Sequence, residues 1–449
     1  MGQSLATLAI AAGLWGLAAG SSAAPNSGPG GGAIGIPPAT ARDATADLVT
    51  WGLPNGGAEP SRAADAISSD PVARGRYLVD AGDCQACHTN PGGAPFAGAR
   101  PIGTPFGIIY SANITPDAKT GIGSWTADQF YEALHKGVRA DGARLYPAFP
   151  YPHFTQLTRA DADAVRSYLA TVPPILQVKP SNRLPFPLNL RFVMRIWNAL
   201  YFRPGAFQPD PAKSEAWNRG AYLVQGPGHC GACHTPMNFL GAEKADRAFQ
   251  GGKLEGWVTL NLTGAERQGL ASWSQADLIE YLRTGRNARA AASGSMSEVI
   301  YDSTSRMSDR DLEAIAIYLK ALPGVGSPSR APADVAALRA GEAIYVDTCA
   351  ACHKADGEGT PRFFPPLKGD ASLQAKDPGT VVRIILTGTR SVPTPGKPTP
   401  LAMPGFAWKF DDQQVASVAS YIRSSWNNAA PAVSAAQVGK LRRRYAQGP

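Results

Sequence analysis

The pentapeptide CxxCH occurs three times, as "CQACH" (84–88), "CGACH" (230–234) and "CAACH" (349–353), and these copies use all six cysteines of the 449-residue chain. No thiol is left for a structural disulfide. In a CxxC turn the two thiols lie on one side of a helical turn, placed to join the two vinyl groups of a haem. The histidine that follows then falls beneath the porphyrin plane, where imidazole binds iron. Zinc is the competing occupant, but it needs four ligands per site. Only three further histidines exist, His135, His153 and His229, so zinc closes some of the sites at most. The expectation is three covalently bound haem c groups, attached at Cys84 and Cys87, Cys230 and Cys233, and Cys349 and Cys352, with His88, His234 and His353 as proximal ligands.

The motifs sit inside a longer repeat. "ARGRYLVDAGDCQACHT" (73–89) matches "NRGAYLVQGPGHCGACHT" (218–235), and "RAGEAIYVDTCAACHK" (339–354) is a looser third copy. Each has a glycine opening a short apolar stretch of helical period that runs into the cysteines. Downstream, "SWTADQFYEALHKG" parallels "SWSQADLIEYLRTG", with Ser124 and Ser272 placed as helix caps. Every copy then ends in a further amphipathic segment: "LTRADADAVRSYLATVP", "MSDRDLEAIAIYLKALP" or "FDDQQVASVASYIRSSW". The unit is a small all-α domain with long loops, as 48 glycines and 39 prolines also imply. The boundaries follow as domain 1 at 66–178, an inter-domain linker at 179–209, domain 2 at 210–325, domain 3 at 326–430 and a basic tail at 431–449. The linker is rich in aromatics and proline, and reads either as packing across two domains or as a docking surface for a partner or membrane.

At the other end, residues 4–20 are apolar, and "SSAAP" after them supplies the small residues of a cleavage site following Ala23. Residues 1–23 therefore read as a signal peptide for export and 24–65 as a flexible leader, the alternative being an uncleaved membrane anchor. Export suits covalent haem, which is attached outside the bacterial cytoplasmic membrane. No later segment is apolar enough to cross a bilayer. The formal charge of +8 is spread along the chain apart from "KLRRRY" (440–445), a pattern that excludes nucleic acid as partner.

Electron-transfer haems usually take a second axial ligand. Met403, 50 residues after His353 and before the last helix, is the candidate at the third haem, and Met296, 62 residues after His234, at the second. Each has a bland alternative as a core methionine. Met307 reads as packing, Met237 is too near His234, and Met194 belongs to the linker. In the first domain the equivalent position is Phe149, which cannot bind iron. His153, four residues on, is the candidate there, against an open or water-bound iron or a ligand from elsewhere. His135 reads as a structural residue on an amphipathic helix, and His229 as a residue hydrogen-bonded near the haem edge.

Together "GRYLVDAGDCQACHT", "NITPDAKTGIGSWT", "LYPAFPY", "LPFPLNLRFVMRIWN", "WNRGAYLVQGPGHCGACHTPMNFLG" and "GWVTLNLTG" resemble the triheme cytochrome c subunits of bacterial membrane-bound dehydrogenases. Those subunits serve alcohol, gluconate, fructose and aldehyde dehydrogenase complexes. The resemblance implies three tandem class I cytochrome c-like domains with one covalent haem each. It implies a non-catalytic electron-transfer subunit of the respiratory chain on the periplasmic side of the membrane, peripheral or anchored. Electrons would come from a catalytic dehydrogenase subunit carrying flavin, PQQ or molybdenum cofactor, and leave to ubiquinone. Distal methionines carry over onto Met296 and Met403; at Phe149 this chain departs from the family's methionine. "VGKLRRRYAQGP" stands where the family often has an amphipathic anchor, and reads as a segment meeting anionic lipid or as a solvated tail. Two rival readings stand beside this one: a peroxidase-like haem enzyme acting at an open first haem, and a soluble periplasmic electron carrier.

Overall fold

Three helix crossings organise the computed structural model, which describes residues 68–325 and 335–446. The signal peptide and leader expected at 1–23 and 24–65 lie outside the described residues. In each of three successive modules the first helix crosses the last: Pro71–Ala81 on Arg159–Leu169, Glu215–Gln225 on Asp309–Lys320, and Val335–Ile344 on Asp412–Ser424. The backbones approach so closely that only glycine fits. A Cβ built on Gly75, Gly220 or Gly341 would lie 1.9, 2.0 or 2.2 Å from the carbonyl oxygen of Ala164, Ala314 or Ser417. The glycine that opens each sequence repeat is therefore the crossing point of its module.

Helix starts follow side-chain caps. Thr158 and Ser308 accept from the amides of Asp161 and Asp311, and Asp411 from that of Gln414. The middle helices Ala127–Lys136 and Gln275–Thr284 are capped by Thr126 and Ser274, two residues beyond the expected Ser124 and Ser272. The reason is the reciprocal capping box, which needs Gln129 or Asp277 three residues on. The fold is helix-rich rather than purely helical. Three two-stranded antiparallel hairpins, Pro101–Thr104 with Gly107–Tyr110, Gln250–Leu254 with Trp257–Asn261, and Thr389–Arg390 with Ala402–Met403, lie in the loops between motif and last helix.

The first two modules grip each other through equivalent residues. Arg74 pairs with Asp161 and Arg219 with Asp311, each within its own module. The Tyr222 hydroxyl donates to Asp161 across the boundary, and the Tyr77 hydroxyl donates to Asp311 at 2.6 Å in the other direction. This is the reciprocity of a two-fold interface inside one chain. The third module has Ala340, Ala343 and Gln414 at the arginine, tyrosine and aspartate positions, and so lacks the groups to join it.

Two segments are more ordered than the sequence implied. Within the linker, the helix Val193–Tyr201 buries Met194 and Trp197, and the Trp197 indole donates to the Leu240 carbonyl at 3.0 Å. Its other face leaves Phe192, Ile196 and Leu200 exposed, so both readings of the linker have a face. The stretch read as a basic tail forms the helix Ala435–Ala446 with Val438 buried in the third core. Arg442 binds Asp412 and the carbonyls of Ala407 and Phe410. Arg383 lies over both Trp257, 4.1 Å from the ring centroid, and Tyr445, so the helix is also tied to the second module. Among the described residues no helix is long and apolar enough to cross a membrane.

Candidate haem-binding sites

Each CxxCH forms a short helical turn after the first helix of its module; in the third copy a π-helical turn, Tyr345–Cys349, leads into it. The histidine is held the same way each time. Nδ1 of His88 donates to the Ala112 carbonyl at 2.7 Å, that of His234 to Leu260 at 2.8 Å, and that of His353 to Pro365 at 3.0 Å. In the first two modules the accepting carbonyl lies in or just after a hairpin strand, which explains why the hairpins recur. A proton fixed on Nδ1 leaves the Nε2 lone pair to a metal, and orients the ring. Nε2 has no protein partner among the described residues in any of the three. Burial lowers the pKa of all three rings, keeping them in the neutral, ligating form.

The thiols are free, and burial pushes Cys87, Cys230 and Cys233 up to about 12 and Cys349 to about 11. Burial disfavours the charged thiolate, so the pairs suit neutral thiols or the thioethers of a covalent haem. Among the described residues, no three His, Cys, Asp or Glu side chains converge as a metal cluster. A haem also brings carboxylates, and Arg286, 8% exposed with Nε and Nη1 unpartnered, offers the donors they accept from. Thus the residues fit covalent haem: paired thiols, an oriented imidazole and an uncommitted buried guanidinium.

The first and second motifs are neighbours. A Cβ on Gly82 would be 3.3 Å from Cys84 Sγ and 3.7 Å from the Pro227 carbonyl oxygen. The helix Ser295–Asp302 of the second module packs on Cys84–His88, and Arg100 joins them by binding the Ala86 carbonyl and, at 2.9 Å, the Glu298 carboxylate. In the third motif Cys352 is exposed, whereas the other five cysteines are half-buried.

The expected distal residues fall in different settings. Met403 is half-buried in the two-residue strand paired with Thr389–Arg390, and Met296 opens the helix Ser295–Asp302 against Ala292, Ile300 and Val392. Phe149 packs with Tyr146, Tyr151 and Met194, and its ring lies 5.2 Å from that of Phe154. His153, expected as an iron ligand, has both ring nitrogens engaged in this structure. Its Nδ1 bonds the Gln225 carbonyl at 3.0 Å and its Nε2 the Glu243 carboxylate at 2.6 Å, so neither nitrogen is free. The reason lies in the pseudo-symmetry. His153 stands four residues before Leu157 and Ser303 four before the equivalent Met307; the Ser303 hydroxyl donates to the Ala81 carbonyl at the end of the other module's first helix. Both are interface positions.

The remaining candidates keep structural roles. His135 bonds the Thr155 carbonyl and stacks on Tyr131, and Met307 is core. His229 is half-buried and stacks on Phe154, its Nδ1 is unpartnered, and desolvation of the ring brings its pKa down to about 4. Reading the sequence missed Arg286 and Asp83. The second directly precedes Cys84, a position visible in the sequence, but its burial is not.

Repeated helix crossings, each with a CxxCH turn and an oriented histidine, define a c-type cytochrome. A sequence profile of the family described as Cytochrome c matches residues 338–426. The chain is 42% identical to the gluconate 2-dehydrogenase cytochrome c subunit of Pantoea cypripedii, over 83% of this chain and 89% of that one. It is 40% identical to the cytochrome c subunit of the quinone alcohol dehydrogenase of Gluconacetobacter polyoxogenes, over 83% and 84%. With the fructose dehydrogenase cytochrome subunit of Gluconobacter japonicus the identity is 36%, over 87% of each chain. The chain belongs to the family of cytochrome c subunits of alcohol, gluconate and fructose dehydrogenases.

Proposed function

We propose that the protein carries three covalent haems c, one per module, and relays electrons from a catalytic dehydrogenase subunit to ubiquinone at the periplasmic face of the bacterial cytoplasmic membrane. The observation that carries this is the threefold recurrence of one geometry, a CxxCH turn whose histidine is oriented through Nδ1 by a backbone carbonyl. Bound haem supplies the one-electron redox chemistry; the chain holds, orients and spaces it. Met296 and Met403 serve as the distal ligands of the second and third haems, and thioether ligation raises their potentials. Neighbouring first and second motifs suit transfer within the chain, and the open third motif suits exchange with another subunit.

Membrane attachment is supported by the linker surface, where Phe186, Phe192, Ile196 and Leu200 stand exposed beside Arg195 and Arg203. Apolar side chains flanked by arginine match an anionic bilayer interface. The partner's cofactor is flavin, PQQ or molybdenum. A second reading, peroxidase-like chemistry at an open first haem, is favoured by Phe149 at the distal position with His153 committed elsewhere.

The test is haem stoichiometry by mass and haemochrome spectrum on exported protein, then ubiquinone reduction by membranes holding the chain and its co-expressed dehydrogenase. Three haems per chain and loss of quinone reduction when the chain is deleted are expected. Fewer haems, or quinone reduction that survives the deletion, refutes the relay. Peroxide turnover by the isolated chain with cyanide binding would favour the second reading.

A further inference from the structure

Four carboxylates meet two guanidiniums where the first and second modules join beside the first motif. Asp80 comes from the first helix, Asp83 from the residue before Cys84, and Glu298 and Asp302 from the helix Ser295–Asp302. Arg306 bridges Asp80 and Asp302 at 3.3 Å each, and Arg100 takes Glu298 with two bonds of 2.9 and 3.0 Å. Gln85 reaches Asp302 at 3.5 Å. Asp83 is left over. It is 8% exposed, its Oδ1 is buried without a partner, and its backbone is held in the left-handed region at φ 51°. A buried carboxylate oxygen without a hydrogen-bond partner is costly to keep ionised, so Asp83 takes a proton most readily. Burial and the nearby Asp302 and Glu298 raise its pKa well above the carboxylate range, against the lowering pull of Arg100 and Arg306, and Asp302 is pushed up to about 6. Exposed Glu255 adds negative charge further out, through Glu298 and Arg100.

We propose that Asp83 is a redox-linked proton site: one electron arriving at the first haem from the dehydrogenase is matched by one proton taken from solvent onto the Asp83 carboxylate. The inference rests on the reading that Cys84 and Cys87 carry a haem. Iron goes from ferric to ferrous, an O–H bond forms on Asp83, and no covalent bond breaks in the chain. Reduction adds negative charge beside a carboxylate covalently adjacent to the attachment point, so it favours protonation; by reciprocity, protonation favours reduction. The sign follows: the first haem accepts electrons more readily at low pH, and its potential falls as pH rises through the titration of Asp83.

Potentiometric titration of the haem-loaded full chain at a series of pH values tests this. One haem wave is expected to shift with pH, its electron affinity changing up to tenfold per pH unit, or about 59 mV for a one-electron couple. Asp83→Asn should make that wave independent of pH near its low-pH position, whereas Asp302→Asn should leave a slope. A slope that persists in Asp83→Asn, or a wild type without one, overturns the proposal. Should Asp83→Asn fail to load haem, the redox difference infrared spectrum of the wild type decides. A carboxylic C=O band appearing on reduction supports the site, and its absence overturns it. Mass analysis of the peptide spanning Cys84–His88 separates the two levels. A haem-free peptide refutes the haem assignment and this proposal with it; a haem-bearing peptide with a pH-independent wave refutes the proposal alone.

Discussion

His153→Ala separates an iron ligand from an interface residue. In the structure this side chain is 12% exposed and makes two bonds across the module boundary, one to the Glu243 carboxylate and one to the Gln225 carbonyl. A charge-assisted hydrogen bond contributes about 1.5 to 3 kcal/mol and a neutral one about 1. Glu243 is 29% exposed and regains water when its partner is removed, which offsets part of the loss. A net destabilisation of about 2 kcal/mol is expected, seen as a lower denaturant midpoint for the haem-loaded protein. Glu243→Gln keeps a neutral acceptor and should cost about half as much. Both variants should leave the low-temperature EPR spectrum of every haem unchanged, because no iron loses a ligand. If His153→Ala instead removes or shifts a low-spin signal, the ring ligates iron, and its assignment to the interface is wrong.

Three further outcomes follow from the same geometry. Gly220→Ala should destabilise the second module by about 3 kcal/mol in unfolding experiments, because a methyl 2.0 Å from the Ala314 oxygen forces the crossing helices apart. Tyr77→Phe and Tyr222→Phe should each cost about 1 to 2 kcal/mol, read as a lower denaturant midpoint, since each takes a donor from a buried aspartate of the other module; variants as stable as the wild type would contradict the reciprocal interface. Met403→Leu should abolish one sulfur-to-iron charge-transfer band and lower one haem potential, with the other waves in place; an unchanged spectrum would return Met403 to the role of a packing residue.

Much of the fold was legible because the repeat is written in residues with narrow physical options. The glycine that opens each repeat, the amphipathic last segment and CxxCH at the turn are local requirements, so spacing alone located them. The middle-helix caps were misplaced by two residues because the serines of "SWT" and "SWS" compete with Thr126 and Ser274, and the choice rests on a partner three residues on. The hairpins escaped notice because strands of two to five residues carry too little alternation to read. The basic run at the C-terminus read as a lipid-facing or solvated tail because its charge hides Val438 and the stacking of Tyr445.

The sequence by itself determined the three CxxCH motifs and the repeat that carries them, since these depend on neighbours within a few residues. Only the tertiary structure decided what meets across the modules. Tyr77 finds Asp311 over 234 residues, His153 finds Glu243 over 90, and Asp302 comes to stand beside Asp83. A histidine in a loop is the same letter whether it faces iron or a carboxylate. Its role is set by which lone pair or proton the neighbouring module presents, and that neighbour is supplied by the packing of helices far apart in the chain.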